Sequence, residues 1–128
     1  MKNNKDYPES KLTEKIIGFA FDVFNDLKYG LKEKAYQKAL EALLIENKIN
    51  YQREKYGKIR YHGAIIGKYY LDFLIEGKVA VELKVRSEVY QKDIGQLLNY
   101  IKSEQIPVGL LIVMTKYRVE IKRLANTK

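Results

Sequence analysis

Asp72, Glu82 and Lys84 are the residues best placed to do chemistry, two acids and a lysine within the stretch from Tyr70 to Val85. Val79, Val81, Leu83 and Val85 alternate there with Ala80, Glu82 and Lys84. Strand side chains have a period of two, so Glu82 and Lys84 share a face. Two carboxylates converging on one point repel unless a cation sits between them, and hard oxygen ligands suit Mg2+ or Mn2+. A lysine two residues on could orient or activate a water, or offset charge developing on a phosphate. Together these are the parts of metal-assisted phosphodiester hydrolysis. A plainer reading stands beside it. An Asp followed loosely by Glu-x-Lys arises by chance in chains rich in these residues, and exposed Glu and Lys on a half-buried strand are ordinary solvated side chains.

Whether Asp72 joins that face depends on the turn before Val79. A two-residue loop at Glu76-Gly77 sets Asp72 opposite Val81, on the wrong side. A three-residue loop, Ile75-Glu76-Gly77, sets it opposite Ala80 and so beside Glu82. Glycine in the third place suits the left-handed position of a type I turn with a G1 bulge. The three-residue loop is therefore preferred, and Asp72, Glu82 and Lys84 are expected together.

The elements that must position these groups follow from periodicity. Residues 1–9 read as a flexible tail, and residues 10–128 as one domain, because 128 residues support a single core. Ser10 is the expected N-cap of a helix with Leu12, Ile16, Phe19, Ala20, Val23 and Leu27 on one stripe, stopped by Gly30. A second helix is expected from about Lys32 to Asn47, with Tyr36, Leu40, Leu43 and Leu44 as its apolar face. Glu33 falls near that stripe in the first turn, where the helix dipole favours an acid whatever its function.

From Tyr51 to Ile75 the pattern is that of an antiparallel meander leading into the hairpin. Lys55, Lys58, Arg60 and Lys68 alternate with tyrosines, as on a nucleic-acid surface and equally as on a soluble edge strand. His62, beside Gly63, reads as a turn residue. Ser87 is the expected cap of a helix reaching about Ser103, with Tyr90, Ile94, Leu97, Leu98 and Ile101 facing the core and Asp93, Gln96 and Tyr100 on a neighbouring stripe. After Pro107, the unbroken apolar run Val108 to Met114 predicts a central strand, and Tyr117 to Leu124 an edge strand or short closing element. This order predicts an α/β fold, a mixed sheet flanked by helices, antiparallel at the hairpin and parallel at the helical crossover.

Lys and Arg number 24 against 16 Asp and Glu, a net charge of +8 with a pI near 9.5, which favours a polyanionic partner and above all nucleic acid. Cysteine is absent and His62 is the lone histidine, so any metal must be held by oxygen. The polar N-terminus is unlike a signal peptide, and no apolar run reaches the ~18 residues that span a bilayer. A cytoplasmic protein without membrane association is the expectation.

Together these residues resemble a known family. Gly30-Leu-Lys-Glu33-Lys-Ala-Tyr36 reproduces the Gly-x-x-Glu-x-x-Tyr signature of the GxxExxY protein family. Asp72, Glu82-Leu-Lys84 and Gln96-Leu-Leu-Asn-Tyr100 look like the later motifs of the PD-(D/E)xK nuclease superfamily, particularly its RecB-like branch. The match runs from about Ile16 to Leu124, with Leu71 where the superfamily's name has proline. The resemblance implies a restriction-endonuclease-like fold in the order α-α-β-β-β-α-β-β and a Mg2+-dependent nuclease, with DNA favoured over RNA. It implies that Asp72 and Glu82 ligate the metal and that Glu33 completes its shell from the helix. Lys84 would act on the attacking water or scissile phosphate, and Tyr36, Gln96 and Tyr100 would position substrate or support the site. The rival reading, of a different class, is a non-catalytic nucleic-acid-binding or protein-interaction module on the same scaffold. A chain this short also leaves room for a partner protein or a second copy to help grip substrate.

Overall fold

Apolar residues recurring every three or four positions fold the first part of the chain into two helices, α1 (Ser10–Leu27) and α2 (Glu33–Glu46). Ile16, Phe19, Ala20 and Val23 form the buried stripe of α1, and Tyr36, Leu40 and Leu44 that of α2. This computed structural model describes residues 9–126, so the tail expected at residues 1–9 lies, apart from Glu9, outside the described residues. The first helix stops at Leu27 rather than at Gly30. Lys28 leaves the helix with φ 61° while its N–H still donates to Phe24 O. Gly30 instead serves the connection to α2, with φ 125°, a conformation that side chains disfavour.

Five strands follow around one more helix: β1 (Tyr51–Tyr61), β2 (Ala64–Ile75), β3 (Val79–Val85), α3 (Gln91–Ser103), β4 (Val108–Met114) and β5 (Val119–Ala125). They make one sheet in the order β1-β2-β3-β4-β5. β3 and β4, joined by the α3 crossover, are parallel, and the other neighbours are antiparallel. Every residue of β4 is buried, as its unbroken apolar run requires. Phe73, Val81, Leu83 and Ile112 pack with the stripes of α1 and α2 on one side of the sheet. Leu71, Ala80, Leu111 and Val113 pack with Leu97, Tyr100 and Ile101 of α3 on the other. His62 and Gly63 form the β1–β2 turn with positive φ, as expected. Among the described residues no helix is long and apolar enough to cross a membrane.

Two local expectations are corrected. The third helix begins at Gln91, not after Ser87, whose hydroxyl instead meets the Tyr90 hydroxyl at 3.0 Å. With the segment out of helix, Arg86 grips Asp93 with two bonds of 2.9 and 3.1 Å. A helix started at Ser87 would hold positions 86 and 93 about 10 Å apart along its axis, and the bend brings them closer.

The β2–β3 loop is displaced by one residue, because Ile75 pairs with Val79 and the loop is Glu76-Gly77-Lys78. Glu76 (φ 54°) and Gly77 (φ 67°) are both left-handed, closed by Lys78 N–H donating to Ile75 O at 2.9 Å. Consecutive positive φ values belong to a type I′ turn, not to the type I turn with a bulge. Continuing this register sets Asp72 opposite Glu82 instead of Ala80. A displacement of two positions keeps the side chain's side unchanged.

Candidate active site

The β2–β3 ladder runs through Ile75–Val79, Leu74–Ala80 and Phe73–Val81 and then stops. Where it stops, the two acids take over. Asp72 N–H donates to Glu82 Oε1 at 2.9 Å, and Leu83 N–H donates to Asp72 Oδ2 at 2.8 Å. Each carboxylate replaces the carbonyl that the other strand no longer offers, so the buried amides stay satisfied as the strands part. β2 also turns about its own axis here. Leu71 packs on the α3 side and Phe73 on the α1–α2 side, though strand parity would give them one side. β1 turns with it, since Arg53 reaches Glu41 and Gln37 of α2 while Gly57 lies against Tyr100 of α3. Between them Glu54 takes φ 49°. Arg53 fixes the turn from β1, donating through Nε to Asp72 O at 3.1 Å.

Lys84 joins the pair, its Nζ 3.7 Å from Glu82 Oε2. Glu33, in the first turn of α2, reaches β3 one residue further on, where its Oε1 accepts the Val85 N–H at 3.0 Å. Among the described residues no three acidic or histidine side chains already converge on a point that could hold an ion. The chain therefore brings together Asp72, Glu82 and Lys84, and keeps Glu33 at the neighbouring amide.

Glu82 is 3% exposed. Burial first, and then the charge of Asp72, push its carboxyl up to about 8, against the pull of the Asp72 amide and Lys84. Asp72 is raised too, by burial first, with the Leu83 amide and Lys84 opposing and Glu33 adding to the rise. Burial thus outweighs the help that Lys84 and the strand amides give to the ionised pair.

Tyr69, which no spacing in the sequence singles out, lies with its hydroxyl against Glu82. Burial, then the charges of Glu82 and Asp72, hold that hydroxyl far above the usual tyrosine range. Its ring packs on Tyr100 with centroids 5.2 Å apart, and Tyr100 is 1% exposed. Burial also pushes the Tyr100 hydroxyl up to about 12. Tyr100 therefore packs behind Tyr69. Room for it comes from Gly57, where an added Cβ would fall 2.3 Å from Tyr100 Cε2. Gly57→Ala is expected to destabilise the fold by about 1–3 kcal/mol, as overpacking does, read as a lower urea midpoint. An unchanged midpoint would show that Tyr100 is not wedged there.

Gln96 is exposed on α3. Tyr36 is fully buried and cannot meet substrate. Its hydroxyl donates to Lys28 O and accepts the Leu31 N–H, so it ties down the connection from which Glu33 starts.

The description of the family model that matches residues 10–124 is the PD-(D/E)XK nuclease superfamily. The chain belongs to the PD-(D/E)XK nuclease superfamily. No curated protein sequence matches it significantly. Among solved structures it is similar to SSO0001, at 19% identity and a TM-score of 0.54, over 74% of this chain and 50% of that one. The chain thus spans half the length of SSO0001. It is also similar to an alkaline exonuclease (LHK-Exo) from Laribacter hongkongensis, at 9% identity and a TM-score of 0.49, over 90% of this chain and 82% of that one. The three helices and five-stranded mixed sheet are a restriction-endonuclease-like fold.

PD-(D/E)XK nucleases generally use divalent metals, and the donor set here fits one. Asp72, half-buried, and Glu82, buried, are hard oxygen donors close to one another, and burial above all raises the proton affinity of both. Each gives one oxygen to a strand amide, so Asp72 Oδ1 and Glu82 Oε2 are the oxygens that the strand amides do not hold.

Proposed function

We propose that this PD-(D/E)XK protein is a Mg2+-dependent nuclease, with Mn2+ as a substitute, that hydrolyses phosphodiester bonds of DNA in preference to RNA. The observation that carries the proposal is the parted β2–β3 ladder filled by Asp72 and Glu82, with Lys84 beside them. Neutral side chains could answer the two amides at this break, whereas two acids with a lysine beside them are what a divalent cation and a phosphate call for. The Gly30, Glu33 and Tyr36 spacing and the Gln96 to Tyr100 motif further suit the GxxExxY proteins and the RecB-like branch, which favours DNA.

In this reading Asp72 and Glu82 hold the cation and Glu33 adds negative charge from α2. A divalent ion bound there supplies Lewis-acid polarisation of the phosphate and a more acidic water. Lys84, beside Glu82, offsets charge building on the scissile phosphate or orients the water. Tyr69 steadies the Glu82 carboxylate, Tyr100 backs Tyr69, and Gln96 is left to touch substrate. The lysines of β1 and β2 hold the phosphate backbone.

The test is incubation of the purified chain with single- and double-stranded DNA and RNA, with Mg2+, with Mn2+ and with a chelator. Cleavage that needs the metal is expected; cleavage that survives the chelator, or none on any substrate, overturns the proposal. Asp72→Asn keeps an acceptor for the Leu83 N–H but loses the charge. It is expected to weaken metal binding by about 100-fold or more, beyond the effect of losing an outer-shell partner, and to abolish activity. Titration calorimetry with Mn2+ reads the first effect directly.

A further inference from the structure

Beyond Asp72 the β1–β2 hairpin continues with one of its faces bare. Tyr56 and Tyr70 are cross-strand partners on that face, their rings 5.3 Å apart and tilted by 57°. They are 38% and 65% exposed. Two residues along each strand, the next pair on the same face is Lys58 with Lys68. The opposite face of this part of the hairpin carries Gly57 and Tyr69 and is covered by Tyr100 of α3.

The lysine pair does not help the sheet, and the tyrosine pair gives it only one cross-strand ring contact, worth roughly 0.2–1 kcal/mol. Like charges directly opposite one another across strands repel, and two aromatic rings held open to water gain little from burial. What the arrangement offers is a pair of π-faces about 7 Å along the strand from a doubled positive charge. A polyanion with flat apolar rings answers both parts. Single-stranded nucleic acid is such a polymer, because its bases are free to stack on side chains, whereas in a duplex they are stacked on each other.

We propose that Tyr56, Tyr70, Lys58 and Lys68 form a platform that binds single-stranded nucleic acid by base stacking and phosphate contact. β2 runs from Tyr70 to Asp72 in two residues, about 7 Å. The platform thus lies about 7 Å along β2 from the break in the ladder that holds the acids, a nearness that bears on cleavage only under the nuclease reading; the stacking stands without it.

The experiment compares binding of the full chain to a fluorescein-labelled oligothymidylate and to a duplex of equal length, by anisotropy with a chelator present so that nothing is cut. The unaltered chain should prefer the single strand. Tyr56→Leu with Tyr70→Leu should weaken single-strand binding by roughly 5- to 100-fold, the range for loss of base stacking, and change duplex binding little. Tyr56→Phe with Tyr70→Phe keeps both rings and should bind as the unaltered chain does. Lys68→Glu, at an exposed position, should lower single-strand affinity and flatten its dependence on salt.

Equal losses on both substrates, no loss on the single strand, or phenylalanine variants as weak as leucine variants overturn the platform. So does a change in self-association with single-strand affinity intact, which would make the face a protein contact. A parallel cleavage assay with Mg2+ separates the two readings. Tyrosine-dependent single-strand binding without any cleavage sinks the nuclease and keeps the platform. Cleavage in Mg2+ together with single-strand binding indifferent to both tyrosines does the reverse.

Discussion

Lys84→Ala is expected to slow phosphodiester cleavage by ~10²- to 10³-fold, the effect of removing one preorganised charge-stabilising group. Metal and nucleic-acid binding should survive, because Asp72, Glu82 and the basic strand surface remain. Lys84 lowers the proton affinity of both acids, so its loss raises the pH at which they ionise. Metal binding should therefore be compared at pH 9, where that shift matters least. Single-turnover cleavage and Mn2+ titration on the same protein make the measurement. A merely solvated strand lysine predicts otherwise: its removal changes stability by about 0.5 kcal/mol and leaves activity alone. Cleavage unchanged in Lys84→Ala would remove Lys84 from the mechanism even if the rest of the site stood.

Strand periodicity suffices to put Glu82 and Lys84 on one face, since β3 is regular from Val79 to Val85 and pairs with β4 throughout. The helices and the parallel crossover are equally legible, because a stripe at helical spacing and an unbroken apolar run have few other solutions. Asp72 is harder. Its side depends on where a loop begins, and the loop lies one residue beyond the expected place. The expectation survives because the resulting displacement of Asp72's partner is even, from Ala80 to Glu82. What periodicity has no means of showing is that the ladder ends at this residue and that β2 turns there. That turn brings Tyr69, odd in register against an even Asp72, to the same carboxylate. Among 11 tyrosines nothing local marks it.

Asp93 shows the same limit on a helix. Its stripe with Gln96 and Tyr100 reads as an ordinary polar flank, yet it is 2% exposed and locked to Arg86. That pair depends on a bend at Ser87–Tyr90 that replaces the expected first turn of helix, and a capping serine gives no notice of it. Local rules therefore recover the elements and the acids, while the partners that hold the acids come from breaks in those rules.

The metal-free chain is expected to lose stability as pH rises between about 4.5 and about 8, the ordinary and the folded values for Glu82. The sign follows from proton counting. In this range folded Glu82 keeps a proton that unfolded Glu82 has released, so rising pH favours the unfolded chain. The contribution is fully present below 4.5 and lost as pH passes the folded value, and the raised Asp72 acts in the same direction. Glu82→Gln is neutral throughout and still offers an oxygen to the Asp72 N–H. It should match the unaltered protein near pH 4 and exceed it at pH 8 by a few kcal/mol, on the order of 3. Urea unfolding at pH 4, 6 and 8 with a chelator present makes the comparison. Mg2+ should work the other way, because it binds the ionised pair of the folded chain. At 100 times its dissociation constant it adds about 2.7 kcal/mol to the unaltered protein at pH 8 and much less to Glu82→Gln. A Glu82→Gln protein no more stable at pH 8 than at pH 4 relative to the unaltered chain would mean that Glu82 is not held against its charge. The raised proton affinity would then give no support to a cation site at this break in the sheet.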